Sequence, residues 1–112
     1  MSLFTDDTHC RFWLKCGVTG NILASSNVTS LTDNGAGDLT VTINVDFSSA
    51  NWCCIASVEQ SDNTIDAAND GMYAMIYNGG QAAGTVRLLN KLETGTAAAD
   101  PVSWFVAGFG DQ

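Results

Sequence analysis

The chain has 112 residues and a formal net charge of −8, from twelve acidic and four basic residues. Four basic residues cannot build a phosphate-binding surface, so neither nucleic acid nor an anionic membrane surface is expected as a partner. Hydrophobic residues make up 46% of the chain, which excludes intrinsic disorder, yet no segment approaches the roughly 20 apolar residues that membrane insertion requires.

Residues 1–10 are polar and acidic after Phe4 and are predicted to form an N-terminal arm, followed by a single β-domain over residues 11–112. The arm lacks the basic and apolar regions of a secretory signal, so we expect assembly in the cytoplasm, with four reduced thiols. A first strand is predicted over residues 11–16, with Phe12 and Leu14 on one face and Trp13 on the other. A turn over residues 17–21 and a short strand over residues 22–24 follow.

A β-hairpin is predicted between residues 28 and 47. Its second strand alternates apolar and polar residues, a period of two that indicates one buried and one solvated face. The residues expected to face the core are Leu39, Val41, Ile43, Val45 and Phe47. Between the strands, Asn34-Gly35 and Gly37 supply positions that tolerate positive φ, which predicts a tight turn with a bulge.

The second half of the chain contains strands that are apolar on both faces. They are predicted over residues 52–58, 72–77 and 101–109, and a fourth strand lies over residues 85–89. Polar loops are expected over residues 59–71 and 91–100. Seven or eight short strands separated by turn residues predict an all-β fold, a small antiparallel sandwich or barrel.

The apolar runs also predict an oligomer. A sandwich of this size has one interior, so only one face of each sheet points into it. The other face would leave large side chains in water unless sister subunits cover it. The predicted interface residues are Trp13, Trp52, Tyr73, Ile76, Trp104, Phe105 and Phe109.

No catalytic, metal-binding or cofactor-binding residue is predicted. Five residues separate Cys10 from Cys16, and Cys53 and Cys54 are adjacent. Zinc ligands are usually separated by two to four residues. Adjacent strand residues also point to opposite faces. The single histidine, His9, lies beside the arm, where nothing aligns it as a base.

The segment over residues 27–52, NVTSLTDNGAGDLTVTINVDFSSANW, resembles the N-V-S-S-[IL]-T-D-N-G-x-G-x-[YL]-T-V-x-[FI] segment of small domains at the ends of bacteriophage tail fibres. Upstream, Trp13 and GVTGNI (residues 17–22) are similar to the aromatic strand and glycine-rich turn of that family. Downstream, TVRL (85–88), DPVS (100–103) and VAGFG (106–110) are similar to its closing region. The resemblance implies a non-enzymatic virion protein, assembled in the host cytoplasm as a homotrimer and displayed on the particle surface beside other tail or capsid proteins.

The sequence leaves three functions open. The first is a tail-fibre tip that contacts a host surface polysaccharide through its polar loops, with Ser61, Asn63, Asn69, Asp70, Thr94 and Thr96 as candidate contacts. The second is a capsid decoration protein, a head cement or spike, expected because only about ten residues precede the first strand where a tail fibre has a shaft. The third is a surface-polymer hydrolase, although the sequence shows no spacing that would align an acid, a base or a nucleophile.

Overall fold

The computed structural model describes residues 9–60, 71–92 and 97–112. These residues contain eight strands: β1 (Cys10–Gly17), β2 (Ile22–Ser26), β3 (Val28–Gly35), β4 (Asp38–Ile43), β5 (Cys53–Glu59), β6 (Met72–Gln81), β7 (Thr85–Leu92) and β8 (Ser103–Phe109). Sheet A has the order β2-β1-β8-β5 and sheet B the order β3-β4-β7-β6. Every pairing is antiparallel, and the described residues contain no helix. The predicted all-β antiparallel sandwich is confirmed.

The core lies between the two sheets and is built by alternate residues of the central strands. In β4, Leu39, Val41 and Ile43 are buried while the residues between them are half-buried on the other face. At one end of the core the rings of Phe47 and Trp52 stack at 4.4 Å, and Phe12 meets Trp52 edge-on at 5.6 Å. The indole Nε1 of Trp52 donates to the Ala82 carbonyl at 2.8 Å, which satisfies its polar atom inside the core.

The prediction that Val45 faces the core is wrong, because β4 ends at Ile43 and Val45 is 53% exposed. The cause is Asn27, which connects β2 in sheet A to β3 in sheet B with a φ of 59°. Its Nδ2 donates to the Arg11 carbonyl at 2.9 Å, and its Oδ1 accepts from the backbone N–H of Val45 at 2.9 Å. The side chain thus holds the strand end of one sheet against the other, and the alternation stops there.

The hairpin turn lies two residues later than the Asn34-Gly35 pair suggested. Gly35 pairs with Asp38, which places Ala36 and Gly37 at the tip, and both Gly35 (133°) and Gly37 (61°) have positive φ. Gly37 is also a packing position: a Cβ there would lie 2.5 Å from the carbonyl oxygens of Asn90 and Ala99. The turn therefore requires a glycine at residue 37 for both its conformation and its contacts.

A hydrogen-bonded junction surrounds that turn. The N–H of Gly37 donates to Asp100 Oδ1 at 2.6 Å, and its carbonyl accepts from the N–H of Asn90 at 2.8 Å. The buried Asn90 side chain donates from Nδ2 to the Ala99 carbonyl at 2.7 Å, while its Oδ1 has no hydrogen-bond partner among the described residues. The junction ties the hairpin tip to the segment that leads into β8.

Candidate functional site

The outer face of sheet A is apolar. Strands β1, β8 and β5 place Trp13, Ala107 and Ile55 in one cross-strand row and Lys15, Phe105 and Ser57 in the next. These residues alternate with core residues along each strand, so they share the outer side. We call the surface formed by Trp13, Ile55, Phe105 and Ala107 the apolar face.

Exposure on the apolar face is high for residues of this size. Ile55 is 57% exposed, Trp13 44% and Phe105 37%. Together with their neighbours they line a shallow groove of about 390 Å³, in which Lys15 is the one charged residue among the described lining residues. The Lys15 ammonium lies 5.2 Å from the centre of the Phe105 ring, so its charge is directed over an aromatic surface. The groove offers van der Waals and hydrophobic contact to a partner.

The outer face of sheet B carries a polar network. Arg87 on β7 forms two hydrogen bonds with Asp38 on β4, Nε to Oδ1 at 2.9 Å and Nη2 to Oδ2 at 2.6 Å. Asn34 donates from Nδ2 to Thr40 Oγ1 at 2.8 Å and to Asp38 Oδ1 at 3.3 Å. We call Arg87, Asp38, Asn34 and Thr40 the polar network; it spans three strands of the sheet.

The Arg87–Asp38 pair shifts the ionisation of both partners. Hydrogen bonding to Arg87 lowers the pKa of Asp38 below its ordinary value of 3.8, against a smaller opposing effect of burial. The same contact raises the pKa of Arg87. Both groups are therefore charged across the physiological range, and the pair is a bidentate ion pair rather than a proton-transfer site.

Aromatic side chains border the polar network. Tyr73, Met75 and Tyr77 occupy alternate positions of the edge strand β6, so all three point outward, with exposures of 48%, 37% and 38%. The guanidinium carbon of Arg87 lies 4.0 Å from the centre of the Tyr77 ring. We call these three residues the tyrosine stripe.

The predicted interface residues divide into three groups. Trp13, Phe105 and Phe109 lie on the outer side of sheet A, and Tyr73 lies on the outer side of sheet B. Trp52 (7% exposed) and Trp104 (2%) are core residues and have little surface to contribute to an interface. Ile76 packs partly buried against the core and offers little contact surface. Trp104 and Ile76 lie on the side of their strands that faces the opposite sheet, and Trp52, just before β5, packs against the rings of Phe12 and Phe47.

The candidate contact residues in the loops, Ser61, Asn63, Asn69, Asp70, Thr94 and Thr96, lie outside the described residues, as do residues 1–8 of the predicted arm. Strand β1 begins at Cys10, one residue before the predicted first strand.

The four cysteines differ in exposure and in the pKa of their thiols. Cys10 and Cys53 are exposed, Cys16 is buried, and Cys54 is partly buried against the core. Burial raises the pKa of Cys16 to about 11 and that of Cys54 to about 12, with the neighbouring Cys53 adding to the second shift. Across residues 9–60, 71–92 and 97–112, no three His, Cys, Asp or Glu side chains are grouped closely enough to hold a metal ion. The same residues include no helix with the length and apolar character needed to cross a membrane.

Residues that the sequence patterns did not single out contribute to both faces. Ile55 was part of an apolar run, and its outward direction follows from the parity that places Ala56 and Val58 inward. Arg87 and Asp38 are 49 residues apart, and their pairing depends on the register of β4 with β7. The basic residue amid the apolar strand TVRLL was the available signal for a cross-strand partner on that face.

Comparison of the chain with models of protein families, with curated proteins and with solved structures finds no match in any of the three.

Proposed function

We propose that this protein is a non-enzymatic structural protein of a bacteriophage particle, similar to a tail-fibre tip domain, that assembles as a homotrimer through its apolar face. The observation that carries the proposal is the exposure of Trp13, Ile55 and Phe105 side by side on sheet A. Few soluble monomers leave large apolar side chains contiguous on a sheet face. The similarity of residues 27–52 to tail-fibre domains supports the viral setting and the number of subunits.

The energetics favour association through this face over the rest of the surface. Removing apolar surface from water contributes about 25 cal/mol per Å². The cost of association is translational and rotational entropy together with the ordering of side chains. Trp13 lies on β1 and Phe105 on β8, the two central strands of sheet A. Their backbone is already ordered by hydrogen bonds, so binding has little backbone entropy to lose.

Sedimentation velocity of the purified protein at micromolar concentration tests the assembly. We expect a species of three times the 11.8 kDa chain mass. Ile55→Glu places a charge in the groove and should give a folded monomer, because an unpaired carboxylate is costly to bury. The matched control is Thr42→Glu, on the outer side of β4 in sheet B, which should sediment as the wild type does. A wild-type monomer, or equal dissociation of both variants, would contradict the proposed interface.

Gold labelling of a C-terminal tag on intact particles tests the location. Label at the tail tip is the expected result for a fibre protein. Label distributed over the head would replace that role with capsid decoration, the second candidate, and an absence of label from purified particles would refute a virion protein of either kind.

A non-enzymatic role also predicts that purified host surface polysaccharide keeps its chain length after incubation with the protein. Size-exclusion chromatography of the polymer measures this directly. Shortened polymer that is absent in a heat-denatured control would instead establish a hydrolase.

A further inference from the structure

We propose that the outer face of sheet B binds a neutral carbohydrate chain, which lies along the tyrosine stripe and hydrogen-bonds to the polar network. The inference rests on the proposed function for the source of the ligand, a host surface polysaccharide. It places the binding site on described strands of a sheet face and not on the loop residues that the sequence predicts as contacts.

The tyrosine stripe has the length of a short oligosaccharide. Tyr73 and Tyr77 are four residues apart on one strand, a separation of about 13 Å at ~3.3 Å per residue. Met75 lies between them on the same side. Two exposed rings at that distance provide apolar contact for more than one sugar ring, so a short oligosaccharide fits better than a monosaccharide. Tyrosine suits such contact because it has large area, few rotatable bonds and a hydroxyl.

Polar groups in a fixed arrangement lie beside the stripe. Arg87 is held by two hydrogen bonds to Asp38 and by the Tyr77 ring. A guanidinium has five N–H donors and the pair uses two of them, which leaves donors for ligand hydroxyl groups. Because the pair already exists in the unbound protein, little side-chain entropy is lost when a ligand binds.

The charges on and around this face favour a neutral ligand. Arg87 and Asp38 compensate each other, and the chain as a whole carries −8, which repels acidic polymers. Lys91, in register with Tyr73, adds one cation at the far end of the stripe. Aromatic rings next to planar donors and acceptors of balanced charge match a ligand with C–H faces and hydroxyl groups. A neutral oligosaccharide has that chemistry, whereas an apolar protein partner would favour the apolar face of sheet A.

The test uses ¹⁵N-labelled full-length protein titrated with neutral hexose and N-acetylhexosamine oligosaccharides at millimolar concentration. At least one should produce saturable amide shifts in β6 and β7, with β1 and β5 unchanged. Tyr73→Ala and Tyr77→Ala should each weaken binding roughly threefold to tenfold. Tyr77→Phe keeps the ring and should retain most of the affinity. Thr42→Ala, on the same sheet face away from the stripe, is the matched control and should bind as the wild type does.

Several results would overturn the inference: no saturable shift with any neutral oligosaccharide, shifts confined to sheet A or to the loops, or tighter binding of uronic acid oligomers than of neutral ones. Pull-down of a protein through this face, blocked by Tyr77→Ala and insensitive to oligosaccharide, would also overturn it. The particle-labelling and sedimentation experiments are independent of these readouts. A labelled trimer that binds no sugar removes this inference alone, and sugar binding by a protein absent from particles removes the proposed function alone.

Discussion

The two outer faces of the sandwich differ in the chemical groups that they expose to water. On sheet A, the side chains of Trp13, Ile55 and Phe105 lie together on the outer side, and much of their apolar surface is exposed. On sheet B, the half-buried residues of β4 and β7 hydrogen-bond to one another through Arg87 and Asp38. The outer face of sheet A exposes contiguous apolar surface, the kind of surface that a protein partner covers. The outer face of sheet B pairs its charged groups within the chain and exposes aromatic side chains beside them.

The largest expected change in the free energy of unfolding comes from replacing a core tryptophan, in contrast to one on the outer face. Trp104→Ala removes a core side chain and should lower the free energy of unfolding by about 3–5 kcal/mol. Trp13→Ala, made in a monomeric Ile55→Glu background, should change it by only about 0.5 kcal/mol, because its side chain faces solvent. Urea unfolding followed by circular dichroism measures both. Equal losses would show that Trp13 is not on an outer face.

The next effect concerns the hairpin tip that supports the polar network. Gly37→Ala places a methyl group against the carbonyl oxygens of Asn90 and Ala99 and should cost about 3 kcal/mol. Gly35→Ala also puts an alanine at a positive φ, but nothing lies within 4 Å of the added carbon. A loss of about 1 kcal/mol in the free energy of unfolding is expected. Thermal unfolding of the two variants should rank them in that order. The reverse order would mean that the turn lies at Asn34-Gly35 after all.

Thiol reactivity should separate the inside from the outside of sheet A. In the Ile55→Glu monomer, iodoacetamide at pH 8 should modify Cys10 and Cys53 well before Cys16 and Cys54, because burial lowers the thiolate fraction of the second pair. Mass spectrometry of timed samples gives the order. In the wild type, protection of Cys53 relative to the monomer would indicate that the partner subunit covers the strand beside Phe109.

The raised pKa values of the buried thiols also predict a loss of folding stability at alkaline pH. Cys16 and Cys54 have folded pKa values above the ordinary 9.0, so their contribution to stability is complete below pH 9. It is lost as the pH rises toward about 11 and 12. A Cys16→Ala/Cys54→Ala variant should lose less stability than the wild type over that interval, as measured by urea unfolding at several pH values.

The smallest effect belongs to the ion pair of sheet B. The folded pKa of Asp38 is lowered, so its stabilising contribution is present above pH 3.8 and is lost as the pH falls through the folded value. The difference in melting temperature between the wild type and Asp38→Asn should therefore be present at pH 7 and disappear in strong acid. A constant difference at every pH would show that the pair contributes through packing and not through charge.

Period-two alternation was enough to predict the strands and the sorting of residues into two sets, as in β8, where Trp104 and Val106 oppose Phe105 and Ala107. It could not decide which set faces inward in strands that are apolar on both sides, so the sequence alone does not distinguish the core residues Trp52 and Trp104 from surface aromatic residues. That decision depends on the other sheet, which lies far away in sequence.

Contacts between distant segments explain the remaining differences. Val45 left the core because Asn27 binds its backbone, and Gly37 is constrained by Asn90 and Ala99 more than 50 residues away. Arg87 and Asp38 meet only once the register of two strands is known. Sequence patterns carry local preferences, whereas these sites are set by which strands become neighbours.

The crossing residue Asn27 has a practical consequence for producing the protein. Asn27-Val28-Thr29 is an acceptor sequence for N-linked glycosylation in a secretory pathway. A sugar on Nδ2 would replace one amide hydrogen and insert a bulky group where the chain passes from one sheet to the other. Secretion from eukaryotic cells should therefore give misfolded glycoprotein, whereas bacterial cytoplasmic expression avoids the modification. Thr29→Ala removes the acceptor sequence at the cost of one exposed 3.4 Å hydrogen bond and leaves the Asn27 contacts with Arg11 and Val45 in place.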